Sequence, residues 1–513
     1  MAHVPACALT SRPTPTSLWL DTAPAPERPA LSGEVEVDVA VIGAGMLGLT
    51  AATLLEDDGA TVAVLEDDRV GAGTSGYTTA KVTSLHALTY ASLASSFSPE
   101  TARIYGEANQ AGLELVARWV AERGIDCDLR RKAAYTYAEE GQDVEDIERE
   151  VEAARAAGLP ASYTTETDLP YPVAGAIRFD DQAEFHPTKF LLALADGLVD
   201  GGSHVFERTR ALGVQDGDPC RVRTETGTVI AKHVLVATHY PFLDRGLFFP
   251  RLSPMRSYAI AVRTSGARPE GMYLSTDGAS HSIRSVPAGD DELVIVGGEG
   301  HKTGQAEAAA SYQRLEEWAR ERFGAESVEY RWASHDNMPA DNLPYVGALS
   351  PLSERILTGT GFKKWGFTNG AAAALMLADR IAGRENPWSE TFDSNRLTPK
   401  QSVSKIAKEN LNVGLHFFGD RIRPGDVPGI DDLKPGEGGI VREGFQRVAA
   451  SRDEAGELTV LSPTCTHLYC HVRWNGAERT WDCPCHGSRF ATDGKVIEGP
   501  AVKDLPRRDP PGA

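Results

Sequence analysis

The sequence predicts a mainly α/β chain that ends in a small all-β region. Three observations carry this. Residues 35–66 run strand, glycine turn, helix, strand. Residues 356–383 run strand, glycine turn, helix again. Residues 421–439 are dense in Pro and Gly, and only short strand-like runs follow them. Alternating strands and helices call for a parallel sheet, because each crossover helix returns the chain to pair in the same direction.

The elements follow in order. The first residues lack the basic and apolar regions of a secretory signal, so an extended surface leader and a cytoplasmic protein are expected over 1–34. VEVDVAV (35–41) is β-branched and apolar, a buried strand; LTAATLLEDDGA (49–60) is helical and stops at Gly59; TVAVLE (61–66) is the next strand. A helix is predicted from a cap at Ser98 to Gly124, another ending at Gly158, and a third starting at His186-Pro187, where proline suits the first turn. KHVLVATHY (232–240) is an apolar strand. SYAIAVRT, GMYLST and ELVIVGG give short strands between 256 and 298, and 306–324 reads as helix. Beyond Gly383 the pattern weakens into a connector over 386–429, in which 400–417 suits one amphipathic helix. FQRVAASRD, ELTVLS, RTWDCP and KVIEGP are the candidate strands of the last region, 430–513.

Composition excludes some functions. The chain carries 72 acidic against 52 basic residues, a formal charge of -20, which repels phosphate backbones and makes nucleic acid an unsuitable partner. No apolar run approaches the ~18 residues of a membrane span, so no integral membrane segment is expected. Seven cysteines are too few for a disulfide scaffold. Cys7, Cys127 and Cys220 are scattered, whereas Cys465, Cys470, Cys483 and Cys485 cluster.

Gly43, Gly45 and Gly48 form G-x-G-x-x-G between the first strand and the first helix. The first glycine permits the tight turn, the second lets backbone approach a pyrophosphate, and the third lets helix pack on strand. Phosphates then lie against Met46 at the positive end of the helix. Glu66 closes the second strand, where an acid holds a ribose hydroxyl. The motif alone leaves FAD and NAD open. Three later features favour FAD: the loop GAGTSGYTTAKVTS, with Thr74, Thr79 and Lys81; the strand VLVAT; and TGTGFKKWGFTNG, whose Gly359, Gly361, Gly366 and Thr368 surround a second helix start. That helix would aim its first amides at a flavin carbonyl.

On these residues, 35–385 resembles the FAD-dependent oxidoreductases of the D-amino-acid oxidase and glycine oxidase type. The resemblance implies a Rossmann-like FAD-binding domain with an interleaved mixed α+β substrate domain. It also implies hydride transfer from a carbon beside an amine to the flavin. Among residues of the substrate region, Arg256 and Arg284 suit bidentate binding of a carboxylate, with Tyr258 adding a hydrogen bond. Lys363 or Lys364 places a cation near reduced flavin, and Trp365 walls the site. His335 and Tyr345 flank DNLPYVG as weaker candidates. His86 is a candidate tether for FAD.

The last region carries Cys465-Thr466-His467 and Cys483-Pro484-Cys485-His486-Gly487-Ser488. Two thiolates and two imidazoles suit a [2Fe–2S] centre with unlike ligands on its two irons, and zinc also takes such a set. C-x-H with C-P-C-H-G-S on hairpin loops resembles the Rieske signature, which implies Cys465, His467, Cys483 and His486 as ligands. His471 falls outside it. The resemblance to Rieske proteins of respiratory and photosynthetic complexes further implies a Cys470–Cys485 disulfide, and a hydrogen bond from Ser488 to the cluster. Phe490 stands where those proteins have tyrosine, so one cluster hydrogen bond is missing and a reduction potential below theirs is expected. Tyr469 takes the place of a glycine.

Together these predict an FAD-dependent dehydrogenase of a small amine or amino acid. Its electrons would pass through the cluster to an external protein or quinone acceptor. Direct oxidation by O2, and a reductase or electron-transfer protein running electrons from cluster to FAD, are the alternatives.

Overall fold

A computed structural model describes residues 16–243, 246–289, 291–398, 407, 412–413, 416–417, 425–443 and 446–510. The helix expected over 400–417 lies almost wholly outside the described residues. No helix among them is long and apolar enough to cross a membrane.

The strand Gly33–Ile42 is central to the first sheet. It pairs in parallel with Val62–Leu65 on one side and Gly227–Val236 on the other. Gly227–Val236 pairs in parallel with Ile356–Thr360, so the two glycine turns foreseen in the sequence stand at one end of one sheet. Helix Met46–Asp57 covers this sheet, and the alanine-rich helix Gly366–Ile381 packs on it. Small residues make that layer thin: a Cβ on Gly112 of helix Pro99–Arg123 would lie 2.5 Å from the Thr368 carbonyl.

Helix boundaries follow their local signals. Ser98 Oγ accepts the Thr101 amide at 3.1 Å, and Gly124 ends that helix at φ +63°. Pro187 opens helix Pro187–Asp200, and the cap before it is His186, whose Nδ1 accepts the Lys189 amide at 3.3 Å.

The second sheet has nine strands and is mostly antiparallel. Its long members are Leu252–Thr264, Asp291–Lys302 and Ala325–Pro339 at one side and Arg130–Ala138 and Gly175–Glu184 at the other. Its strands come from separated stretches of chain, which gives the interleaved arrangement predicted. The C-terminal region is all-β: Gly438–Glu443, Gln446–Arg452 and Leu458–Leu461 form one sheet, and Arg473–Asn475, Thr480–Asp482, Arg489–Phe490 and Val496–Glu498 another.

The leader departs from expectation. Its described part forms a short helix, Leu18–Asp21, and Trp19 is fully buried. The indole N–H donates to the Thr78 carbonyl at 2.7 Å. Burying an aromatic ring of that size outweighs the cost of ordering a few residues, so the chain is pinned rather than laid on the surface.

Candidate active site and cluster site

A cavity of about 560 Å³ runs from the first glycine turn to the second. Backbone geometry explains the glycines. Gly43 holds φ +109°, and a Cβ there would meet the Ala237 carbonyl at 2.5 Å. A Cβ on Gly48 would sit 1.9 Å from the Gly43 carbonyl, so this glycine closes the helix onto the turn from beneath. Gly45 caps helix Met46–Asp57 without a side-chain hydrogen bond, leaving that end accessible from the cavity. Ser75 Oγ accepts the Met46 amide at 3.1 Å. Glu66 receives the Ala44 amide at 2.8 Å and the Asp68 amide at 3.1 Å. Burial nonetheless pushes its carboxyl up to about 7.

Most predicted cofactor residues line this cavity: Gly43, Gly45, Met46, Glu66, Thr74, Thr79, Lys81, Gly359 and Gly366. Gly48, Gly361 and Thr368 do not. Gly361 turns the chain at φ +75° against Leu252 and Pro339. Thr368 is buried and donates to the Thr83 carbonyl at 3.0 Å. At the second turn, Trp365 precedes helix Gly366–Ile381 with no side-chain cap, and Trp365, Gly366 and Phe367 face the cavity. Ser257 Oγ and His335 Nε2, both of cavity-lining residues, are buried without a hydrogen-bond partner. A glycine cradle, two helix starts whose N-cap residues supply no side-chain hydrogen bond, and unsatisfied polar atoms fit a long, polar, phosphate-bearing cofactor.

Lys364 and Trp365 line the same cavity. The Lys364 amide donates to Asp336, a buried acid that sequence reasoning missed. Burial lifts Asp336 to about 7 against the opposing pull of the Asn337 amide and Lys364. Burial lowers Lys364, and Lys81 to about 7. His239 Nε2 stands 3.8 Å from Asp336 Oδ1. Trp365 stacks on His86 with ring centroids 4.6 Å apart.

Three expectations are corrected. Arg256 does not offer its fork to a substrate: it is 2% exposed, its Nε and Nη2 meet Glu478 of the C-terminal region, and its Nη1 stands 3.8 Å from Glu498. Arg284 is equally buried, spent on Glu184 at 3.1 Å and on the Ala80 carbonyl at 2.6 Å. His86 lines the cavity but has no nitrogen free to tether a flavin: its Nδ1 bonds Tyr105 at 2.7 Å and its Nε2 the Thr83 carbonyl at 2.7 Å. Tyr258 faces the cavity and bonds His301 at 2.8 Å; Tyr345 lies outside the cavity, between Arg251 and Arg396.

In the C-terminal region Cys470 and Cys485 form a disulfide. It ties the two loops that hold the remaining pair, Cys465 and Cys483, both free and buried. These two thiols share a hydrogen bond, which lowers Cys465 and raises Cys483. Amides of His467 and Leu468 point at Cys465, amides of Cys485 and His486 at Cys483, and Ser488 also bonds Cys465. The rings of His467 and His486 are 5.1 Å apart. Burial, then His467, depresses His486 to about 3, so its imidazole is neutral and available as a donor. Two thiols in a nest of amides, with two imidazoles on the same two loops, fit an anionic sulfur cluster better than a bare cation. Phe490 is fully buried and offers no hydroxyl.

Fold and site together define a flavoprotein oxidoreductase with an iron–sulfur domain. The family model for FAD dependent oxidoreductases of the DAO type matches residues 38–380, and that for the Rieske [2Fe-2S] domain matches 425–508. The chain belongs to this FAD-dependent oxidoreductase family and carries a Rieske domain; its cofactors are FAD and a [2Fe–2S] cluster. It is 36% identical over 502 residues to the Rieske 2Fe-2S iron-sulfur protein YhfW of Bacillus subtilis (strain 168), covering 97% of this chain and 98% of that one. Gamma-glutamylputrescine oxidoreductase of Escherichia coli (strain K12) is 28% identical over 213 residues, 40% of this chain and 50% of that one. Glycine oxidase from Geobacillus kaustophilus shares the fold at TM-score 0.60 and 21% identity, over 71% of this chain and 99% of that one.

Proposed function

We propose that the protein is a dehydrogenase of a small amine or amino acid that hands its electrons to an external one-electron acceptor through the Rieske domain. One observation carries this reading: residues 496–499, 501 and 502 of the C-terminal region line the same cavity as Gly43, Glu66 and Gly366. We divide the chain into a leader to 34, a flavin part over 35–385, a connector over 386–429 and the cluster domain over 430–513.

When bound, FAD accepts hydride from the carbon beside the amine, and the cluster passes electrons on singly to an acceptor that must therefore be used twice per substrate. The chain's own residues do the rest. Gly45 and the start of helix Met46–Asp57 receive the pyrophosphate, and Glu66 the ribose. The start of helix Gly366–Ile381, which has no side-chain cap, opens on the cavity and would favour negative charge on a flavin held there. Lys364 adds a cation at that end and Trp365 walls it. A substrate ammonium must lose a proton before its carbon gives up hydride, and Asp336, ionising near neutrality, is suited to take it.

The test is anaerobic mixing of the purified holoprotein with a panel of amines and amino acids, following flavin bleaching and the EPR signal of the reduced cluster together. Bleaching with the cluster signal is expected for one class of compound. Bleaching with a silent cluster and peroxide release in air would favour direct oxidation by O2. No bleaching by any compound would overturn the amine assignment.

A further inference from the structure

The predicted substrate arginine is instead half of a contact between the two parts of the chain. Arg256 Nε donates to Glu478 at 3.0 Å and its Nη2 to the same carboxylate, while its Nη1 stands 3.8 Å from Glu498. Arg489 donates to Glu478 at 2.6 Å, to Glu498 at 3.2 Å and to Asp482 at 3.1 Å. His335 Nδ1 bonds Glu498 at 2.8 Å. Arg256 and His335 lie on the flavin part, the others on the cluster domain. Arg256, Arg489, Asp482 and His335 have side-chain exposures of 7% or less.

Apolar contacts run beside this group. Phe249 packs edge-on against both His467 and His486, at 6.4 and 5.8 Å between ring centroids. Gly487, next to His486, approaches Pro254 and His335 so closely that a Cβ would lie 2.4 Å from Pro254 Cβ. The histidine side of the cluster loops is thus turned inward, onto the flavin part.

We propose that the Rieske domain is docked in cis as a wall of the flavin cavity, and that Arg256, Glu478, Arg489, Glu498 and His335 form the clasp that holds it there and couples cluster reduction to flavin reduction. This rests on the reading that electrons pass between the two cofactors. Arg256 and His335 are positioning residues: they fix where Glu498 and the segment 496–502 stand relative to the cavity. Removing one member of a buried ionic group strands the others, so the clasp fails as a unit.

Glu478→Gln keeps the shape and removes the charge that pairs both arginines. Phe249→Ala leaves all charges in place and thins the contact over the two histidines. Each holoprotein is measured in two ways. Amide hydrogen exchange reads docking: residues 496–502 exchange about tenfold faster or more in Glu478→Gln, while Gly33–Ile42 is unchanged. Light-driven reduction of the flavin with EDTA as electron donor, followed by EPR, reads coupling. In the wild type the cluster signal keeps pace with bleaching; in both variants it lags by about tenfold, as the docked fraction falls. Unchanged exchange in Glu478→Gln, or a cluster that keeps pace with the flavin in folded variants, would overturn the proposal. Photoreduction needs no amine, so failure of the amine assignment leaves this test intact.

Discussion

At the residue scale, the glycine turn shows how little freedom the site allows. Gly48 does not line the cavity, yet it is the most constrained of the three, with its missing Cβ aimed at the Gly43 carbonyl. Gly48→Ala is expected to abolish FAD retention and to destabilise the flavin part by about 1–3 kcal/mol or more, through overpacking against rigid backbone. Purification without yellow colour and a lowered melting temperature are the checks. Gly45 is different: its nearest neighbour is Ser75 Oγ at 3.0 Å, a side chain able to move. The contrast between Arg256 and Lys364 makes a related point. Both were candidates because of charge alone. Lys364 faces the cavity, but Arg256 sits where a carboxylate from a distant part of the chain reaches it. Residue type told what each could bind, and only position told what it does bind.

Helices at the element scale depend on carboxylates supplied from elsewhere. Glu150, on helix Val144–Ala156, accepts the amides of Tyr90 and Ala91 at 2.8 Å each, at the start of helix Thr89–Ser96. That helix has no side-chain cap of its own. Burial pushes Glu150 up to about 7, although both amides pull the other way. The folded chain therefore keeps a proton that the unfolded chain releases near 4.5. The stability tied to this group is complete below about pH 4.5, falls as pH rises towards about 7, and is level above that. In Glu150→Gln the difference in stability from wild type should shrink across that window, on top of an overall loss of about 1–3 kcal/mol from one unsatisfied amide. Chemical denaturation at several pH values tests this; a pH-independent difference would refute it. The signal for this cap was invisible in sequence, since its donor and acceptor lie some 60 residues apart.

The whole molecule joins two units whose apolar cores differ in size. The flavin part buries a large apolar core, whereas the cluster domain is small and relies on the Cys470–Cys485 disulfide and on its metal ligands. Removing iron with a chelator is expected to lower the melting of the cluster domain while leaving that of the flavin part in place, because metal binding energy is folding energy for the unit that supplies the ligands. Calorimetry of the holoprotein and the chelated protein would show one transition moving and one staying. Movement of both together would mean that the two units unfold as one.

Much of this was legible in the sequence because its signals are local. The strand, turn and helix of 33–57 depend on glycines and apolar residues within a few positions of one another. So do the cap at Ser98, the stop at Gly124 and the two cysteine–histidine motifs. The resemblance carried by those motifs also foretold the disulfide, FAD and the [2Fe–2S] cluster. The burial of Trp19 was missed because its ring is anchored by partners far along the chain, including the Thr78 carbonyl and the Arg284 guanidinium over its face. Asp336, Phe249 and Glu498 were missed for the same reason. None sits in a motif, and each gains its place from a partner more than a hundred residues away or from the shared cavity wall. By itself the sequence determined which cofactor chemistries the chain can host, since cradles and ligand sets are built from neighbours in the chain. Tertiary structure alone decided that the two parts of the chain share a cavity wall and which charges meet beside it, because that depends on long-range packing and desolvation, which leave no periodic trace in the sequence.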